Sequence, residues 1–102
     1  MPEALAFFRG KVVPIAEAKV SIMTHALHYG TAAFEGVRGN WNEEQGKTFI
    51  FRMTEHYERL LRGCRIMMMD IPYSVDDLYQ TTIDLLQGCG YAEDVYIRPI
   101  AY

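Results

Sequence analysis

Apolar residues in the first half of the chain come in short runs, too brief for helices and broken by turn-forming residues. Leu5 to Phe8 and Lys11 to Ile15 are split by Arg9-Gly10, which predicts a β-hairpin. Lys19 to Met23 reads as another short extended piece. Thr24 to Gly30 suits a single helical turn, capped by Thr24 and ended by Gly30. Ala32 to Arg38 predicts a strand, with Gly36 marking a bulge or a close backbone approach. Gly39 to Lys47 is polar, carries two asparagines and Gly46, and reads as a loop; Thr48 to Arg52 then returns as a strand.

The second half changes period. Met53, Tyr57, Leu60, Leu61, Cys64, Met67 and Met68 recur at helical spacing. Val75, Leu78, Tyr79, Thr82, Leu85, Leu86 and Cys89 make the apolar face of a second helix. Ser74 and Asp77 form a capping-box-like start, Pro72 separates the two helices, and Gly88 and Gly90 end the second. Val95 to Tyr102 reads as a final strand. Strands, then helices, then a strand predict an α+β fold: a largely antiparallel sheet with two amphipathic helices on one face. Ile100-Ala-Tyr102 still has strand character, so the chain is expected to be a fragment.

Composition narrows the classes. The 102 residues allow one domain, and half of them are hydrophobic, ample for a core. The net charge is -3 with scattered Lys and Arg, which gives nucleic acid no basic stripe to bind. No apolar stretch is long enough to cross a bilayer, and the N-terminus has no secretory pattern, so a cytoplasmic protein is expected. Cys64 and Cys89 both fall on apolar helix faces and read as buried thiols rather than a disulfide.

Few residue groups point to chemistry. His25 and His28 share a face if helical, and His56 or Glu35 would have to complete a metal shell; structural roles are the favoured reading, and no metal is expected. Spacing alone assigns Arg59 to a surface ion pair with Glu55, and Arg62 to one with Glu58. Arg38 and Arg98 lie among apolar strand residues, where an arginine needs a partner or an anion. Tyr29 and Tyr96 put hydroxyls beside apolar walls. They suit either a small carboxylate or a satisfied core, and the residues alone do not decide between these.

The run His25-Ala-Leu-His-Tyr-Gly-Thr-Ala-Ala-Phe-Glu-Gly-Val-Arg38, with Ile50-Phe-Arg, Glu55-His-Tyr-Glu-Arg-Leu60 and Tyr96-Ile-Arg-Pro99, resembles the fold-type IV pyridoxal-phosphate enzymes. Within them it is most similar to the branched-chain amino acid aminotransferases. The order and spacing of these blocks, over almost the whole chain, carry the resemblance. It implies that residues 1–102 are the small N-terminal domain, truncated before a larger lysine-bearing domain. It also implies pyridoxal 5'-phosphate as cofactor, amino and 2-oxo acids as substrates, and a homodimer or higher oligomer. By the same resemblance Arg59 binds the cofactor phosphate, which displaces the surface-pair reading. Phe34, Gly36, Arg38, Tyr96 and Arg98 line the substrate pocket, and Tyr29 reaches an active site across a dimer interface.

Two departures qualify the resemblance. The only lysines are Lys11, Lys19 and Lys47, none in a segment like the family's Schiff-base lysine motif. The chain alone is therefore expected to be inactive and to hold the cofactor weakly or not at all. Asn40-Trp41 also differs from the residues usual after the arginine, which reads as loop variation. Sibling activities, D-amino acid aminotransferase and aminodeoxychorismate lyase, stay open. So does a stand-alone, non-catalytic interaction module with the same fold.

Overall fold

In the computed structural model, which describes residues 4–102, every strand pairing is antiparallel. Strands β1 (Leu5–Phe8) and β2 (Lys11–Pro14) form the expected hairpin, with Phe8 paired to Lys11. Arg9 and Gly10 both have positive φ, 51° and 83°, the geometry that matches a tight turn to the right-handed twist of its strands. Lys19 to Met23 differs from expectation. It forms no strand, and Ser21 turns the chain instead: its Oγ accepts from the Met23 N–H and its carbonyl from the Thr24 N–H.

Helix α1 (His25–Tyr29) is the single turn the sequence predicts, stopped by Gly30 in the left-handed region. Thr24 occupies the N-cap position without a side-chain hydrogen bond to the helix. The strand expected over Ala32 to Arg38 is broken in two, as β3 (Ala33–Phe34) and β4 (Val37–Asn42). Gly39 to Asn42, expected in a loop, continue β4, because β5 (Lys47–Ile50) pairs with them in register, Gly39 opposite Ile50 and Asn42 opposite Lys47. The loop shrinks to residues 43–46. Asn42 closes it, its Oδ1 accepting from the Gln45 N–H and its carbonyl from the Gly46 N–H. Asn40-Trp41 is thus strand rather than loop.

Helices α2 (Met53–Ile66) and α3 (Val75–Cys89) form as expected. The Ser74/Asp77 capping box is complete, each side chain bonded to the other's backbone N–H. Gly88 lies inside α3, and only Gly90 ends it. Met67 and Met68 fall outside α2. Met69 N–H reaches the Cys64 carbonyl and Met68 N–H the Arg65 carbonyl, the two bonds of a Schellman stop. Met68 sits at its left-handed position with φ 59°, 94% exposed.

The last strand is also split, into β6 (Val95–Ile97) and β7 (Ile100–Ala101). β6 pairs with β4 and β7 with β3, so one antiparallel ribbon is interrupted on both strands at the same height. The Glu35 N–H donates to the Pro99 carbonyl and holds the ribbon together across the gap. The result is three small sheets, ordered β1-β2, β3-β7 and β5-β4-β6, rather than one continuous sheet.

The core lies where α2 meets α3 and β3. Met53, Tyr57, Leu60 and Cys64 are buried, packed by Ala33, Ile50, Met69, Ile71, Val75, Leu78 and Ala101 among others. Tyr57 and Thr82 join by a buried hydroxyl–hydroxyl hydrogen bond, and Thr82 donates onward to the Leu78 carbonyl. Burial pushes the Tyr57 phenol above its usual range, the Thr82 bond opposing this. Cys64 and Cys89 are buried free thiols. The apolar content nevertheless exceeds what this core buries: Ile22, Met23, Leu27 and Ile66 are 63–81% exposed. The radius of gyration is 14.4 Å, against about 13 Å for a folded domain of this length.

Because Met68 holds a left-handed conformation with almost no contacts, Met68→Gly is expected to stabilise the fold by about 1 kcal/mol. Chemical denaturation of the two proteins measures this, read as a higher midpoint at unchanged slope.

Candidate functional site

The interruption of the ribbon puts three consecutive residues, Phe34, Glu35 and Gly36, at the junction of sheet and helix. Side chains alternate sides along extended backbone. Phe34 accordingly faces outward, 58% exposed, while Glu35 turns inward and is 8% exposed. Each direction leads to an arginine.

On the outer side, the Arg98 guanidinium lies 4.6 Å from the Phe34 ring centre and 5.3 Å from that of Tyr96. It also donates a 3.1 Å hydrogen bond to the Tyr96 hydroxyl. Tyr96 covers Gly36 so closely that a Cβ there would lie 1.8 Å from the phenolic oxygen. Any side chain at 36 would displace the tyrosine ring, so this glycine is needed for close approach rather than for a turn. Arg38 stands directly opposite Tyr96 in the β4–β6 register. Both line a shallow hollow of about 360 Å³ with Asn40, Asp94 and Val95. Five of the six candidate pocket residues therefore gather on one face. Tyr29 is separate: its ring contacts are with His25, at 4.4 Å between centres, and His28.

The two outer arginines are not buried as their apolar sequence neighbours suggest. Both are exposed, and Arg98 sits in the break between β6 and β7 rather than within a strand. Among the described residues neither is in an ion pair, and aromatic faces carry the charge of Arg98 instead. A guanidinium held by π-faces and one phenol keeps most of its N–H donors available.

On the inner side, Glu35 is shared by two α2 residues one turn apart. Arg59 donates from Nε to Oε2 at 2.8 Å and from a terminal nitrogen to Oε1 at 2.7 Å. His56 places Nδ1 2.7 Å from the same Oε1. Neither helical ion pair expected from spacing, Arg59 with Glu55 or Arg62 with Glu58, forms; the described ion pairs both converge on Glu35. The two-point grip wins because it reaches a desolvated carboxylate, whereas Glu55 is solvated. Hydrogen bonding from Arg59 holds the Glu35 carboxyl below the usual 4.5, against the opposing effect of burial and with help from His56.

Despite that grip, the Arg59 side chain remains 65% exposed. A guanidinium has five N–H donors, and Glu35 engages two on one edge. The opposite edge stays open to an anion at a fixed orientation, so Arg59 fits a phosphate. The histidines serve locally. His25 Nδ1 bonds the Thr31 hydroxyl at 2.6 Å, and His28 Nε2 donates to the Ile22 carbonyl at 2.7 Å. Among the described residues, no group of three or more His, Cys, Asp or Glu is placed to share a metal. Glu35 is the residue that sequence reasoning undervalued. Its signal was a lone acid inside an apolar run that reads as a strand.

No family model matches the chain. It is 54% identical over 97 residues to a probable branched-chain-amino-acid aminotransferase of Aquifex aeolicus, a match covering 95% of this chain and 31% of that protein. The branched-chain aminotransferase of Thermoproteus uzoniensis, crystallised with norvaline, superposes with a TM-score of 0.85 at 41% identity, over 91% of this chain and 31% of that one. The pyridoxal-phosphate form of the Thermobaculum terrenum enzyme gives 0.89 at 36% identity, over 99% and 33%. By sequence and fold together, the chain is homologous to aminotransferases. The relatives it matches are branched-chain-amino-acid aminotransferases, and it spans about a third of their length.

Glu35 has its folded pKa lowered, so its stabilising contribution is complete above 4.5 and disappears as pH falls through the folded value. Glu35→Gln is therefore expected to melt well below the parent at pH 7, with the gap narrowing below pH 4.5. Thermal unfolding of both proteins from pH 7 to pH 3 checks this; a constant gap contradicts it.

Proposed function

We propose that this chain forms one wall of the active site of a transaminase. The enzyme moves the amino group between leucine, isoleucine or valine and 2-oxoglutarate. Pyridoxal 5'-phosphate, when bound, supplies the electron sink for chemistry at the substrate's α-carbon. Residues 1–102 are the small N-terminal domain. The lysine that carries the cofactor, absent in register from Lys11, Lys19 and Lys47, comes from a second and larger domain.

The observation that carries this reading is that one short segment, Phe34 to Gly36, organises two arginines of different character. Arg59, locked by Glu35 with one edge open, holds the cofactor phosphate. Arg98, resting on Phe34 and Tyr96, takes a substrate carboxylate, including the distal carboxylate of glutamate. The aromatic faces serve the opposite need. With the arginine drawn aside, Phe34 and Tyr96 offer apolar surface to a branched aliphatic side chain, and the Tyr96 hydroxyl orients a carboxylate. Arg38 lines the hollow on the other side of Tyr96, together with the Asp94 carboxylate.

The exposed apolar side chains on and before α1 fit contact with further protein. Ile22, Met23, Leu27 and Tyr29 are 63–81% exposed, more than an isolated surface favours. In this reading they face a second copy, with Tyr29 reaching its site, in a cytoplasmic homodimer whose Cys64 and Cys89 stay reduced. The same surface is what favours the second reading, a non-catalytic module that acts by binding protein.

Sequencing the gene beyond the Tyr102 codon and assaying the product of the complete reading frame tests the proposal. Turnover of leucine with 2-oxoglutarate is expected, with little of D-alanine. No cofactor binding and no turnover would leave the interaction module. Within an active enzyme, Arg98→Ala is expected to raise KM for 2-oxoglutarate by at least about tenfold and to alter KM for leucine far less. A hydrogen bond to a charged partner is worth about 1.5–3 kcal/mol.

A further inference from the structure

Arg59 can serve an anion only as well as its plane is aimed, and what aims it is the buried Glu35 carboxylate. Glu35 takes the Nε edge of the guanidinium in a two-point bond, 2.8 Å and 2.7 Å, which fixes the plane as well as the position. A single-point contact would leave the fork free to rotate. Glu35 is itself held at two other points, one on its side chain and one on its backbone. His56 Nδ1 sits 2.7 Å from Oε1, and the Glu35 backbone N–H is bonded to the Pro99 carbonyl at 3.0 Å.

Burial adds to this. Glu35 is 8% exposed, whereas the Arg59 side chain is 65% exposed, so the buried carboxylate is the anchor and the arginine it holds still presents donors to solvent. Helix α2 contributes His56 and Arg59 three residues apart, on one face, and the break in the ribbon contributes the acid between them. A surface arginine on a helix samples many rotamers, and ordering its side chain opposes binding. Here that ordering is already done in the folded chain.

We propose that Glu35, clamped by His56, is a positioning residue that preorganises Arg59 for the phosphate of the cofactor. This rests on the transaminase reading above and extends it to a residue that does not touch the phosphate. Besides its part in holding α2, Glu35 reaches a ligand through Arg59, so its effect on affinity is confined to ligands that carry a phosphate.

The test compares binding of pyridoxal 5'-phosphate and of pyridoxal, which lacks the phosphate, to the product of the complete reading frame. Absorbance titration gives both dissociation constants. Arg59→Ala is expected to erase most of the preference for the phosphorylated form. Glu35→Gln is expected to reduce that preference about ten- to hundredfold, the scale seen when the partner that orients a metal-binding side chain is removed. It should leave pyridoxal binding unchanged and have no further effect in the Arg59→Ala background. Arg59→Lys keeps the charge at an exposed position but loses the two-point grip, so it should resemble Glu35→Gln.

Loss of both ligands alike in Glu35→Gln, or retention of the preference in Arg59→Lys, overturns the positioning role. If Arg59→Ala itself leaves the preference intact, Arg59 is not the phosphate ligand and the positioning role falls with it. A parent protein that binds neither ligand refutes the transaminase reading instead, so the two failures are distinguishable.

Discussion

A buried carboxylate needs compensation, and the way Glu35 obtains it ties the molecule together. Its side chain is desolvated at the edge of the core, where an uncompensated charge would be costly. The compensation comes entirely from α2, through Arg59 and His56. Helix α2 is therefore fixed against β3 by directional bonds in addition to apolar packing. Apolar contacts between Met53, Tyr57, Leu60, Cys64 and Ala33 give the adhesion, but they permit sliding and rotation. The carboxylate sets the register.

The periodic part of this architecture was legible in the sequence. Both long helices, the capping box at Ser74, the hairpin turn at Arg9-Gly10 and the short helix ended by Gly30 follow from local rules of spacing and turn chemistry. What misled was pairing, which is non-local. Gly39 to Asn42 has the composition of a loop, yet β5 pairs along all of it, β6 reaches Gly39, and the Asp94 carboxylate accepts from the Trp41 N–H, so it continues the central strand of its sheet. Lys19 to Met23 has the composition of a strand and no partner, so it becomes a turn. Met67 and Met68 continue the apolar count of α2, but hydrogen bonds to Cys64 and Arg65 stop the helix before them.

The site shows the same division. The residue types that suit anions, Arg38, Arg59, Arg98 and the tyrosines, could be picked out by composition and by resemblance. Their partners could not. Spacing joins Arg59 to Glu55, and only the fold brings it to Glu35, twenty-four positions away. The sequence reads Arg98 as needing an anion or a partner, and the fold rests it on two aromatic faces, Tyr96 from its own side of the ribbon and Phe34 from the facing one. Gly36 was the exception. A lone glycine inside a strand pattern pointed to close approach, and the Tyr96 ring is what approaches.

Two arginines on one chain thus differ in how far their freedom is restricted, and the difference follows from their partners. A carboxylate grips the guanidinium by directional bonds at two atoms, so Arg59 has one orientation and a fixed open edge. Aromatic faces attract the same group through a diffuse quadrupole field, so Arg98 can slide or lift away at small energetic cost. A cofactor phosphate stays in place while substrates exchange, and a rigid ligand suits it. A pocket that receives an aliphatic side chain in one half-reaction and a carboxylate in the other needs a cation that can withdraw. Under the proposed transaminase function the Phe34–Glu35–Gly36 segment would meet both needs, because neighbouring residues of an extended strand face opposite ways. It sets the fixed arginine on the core side and the movable one on the open side.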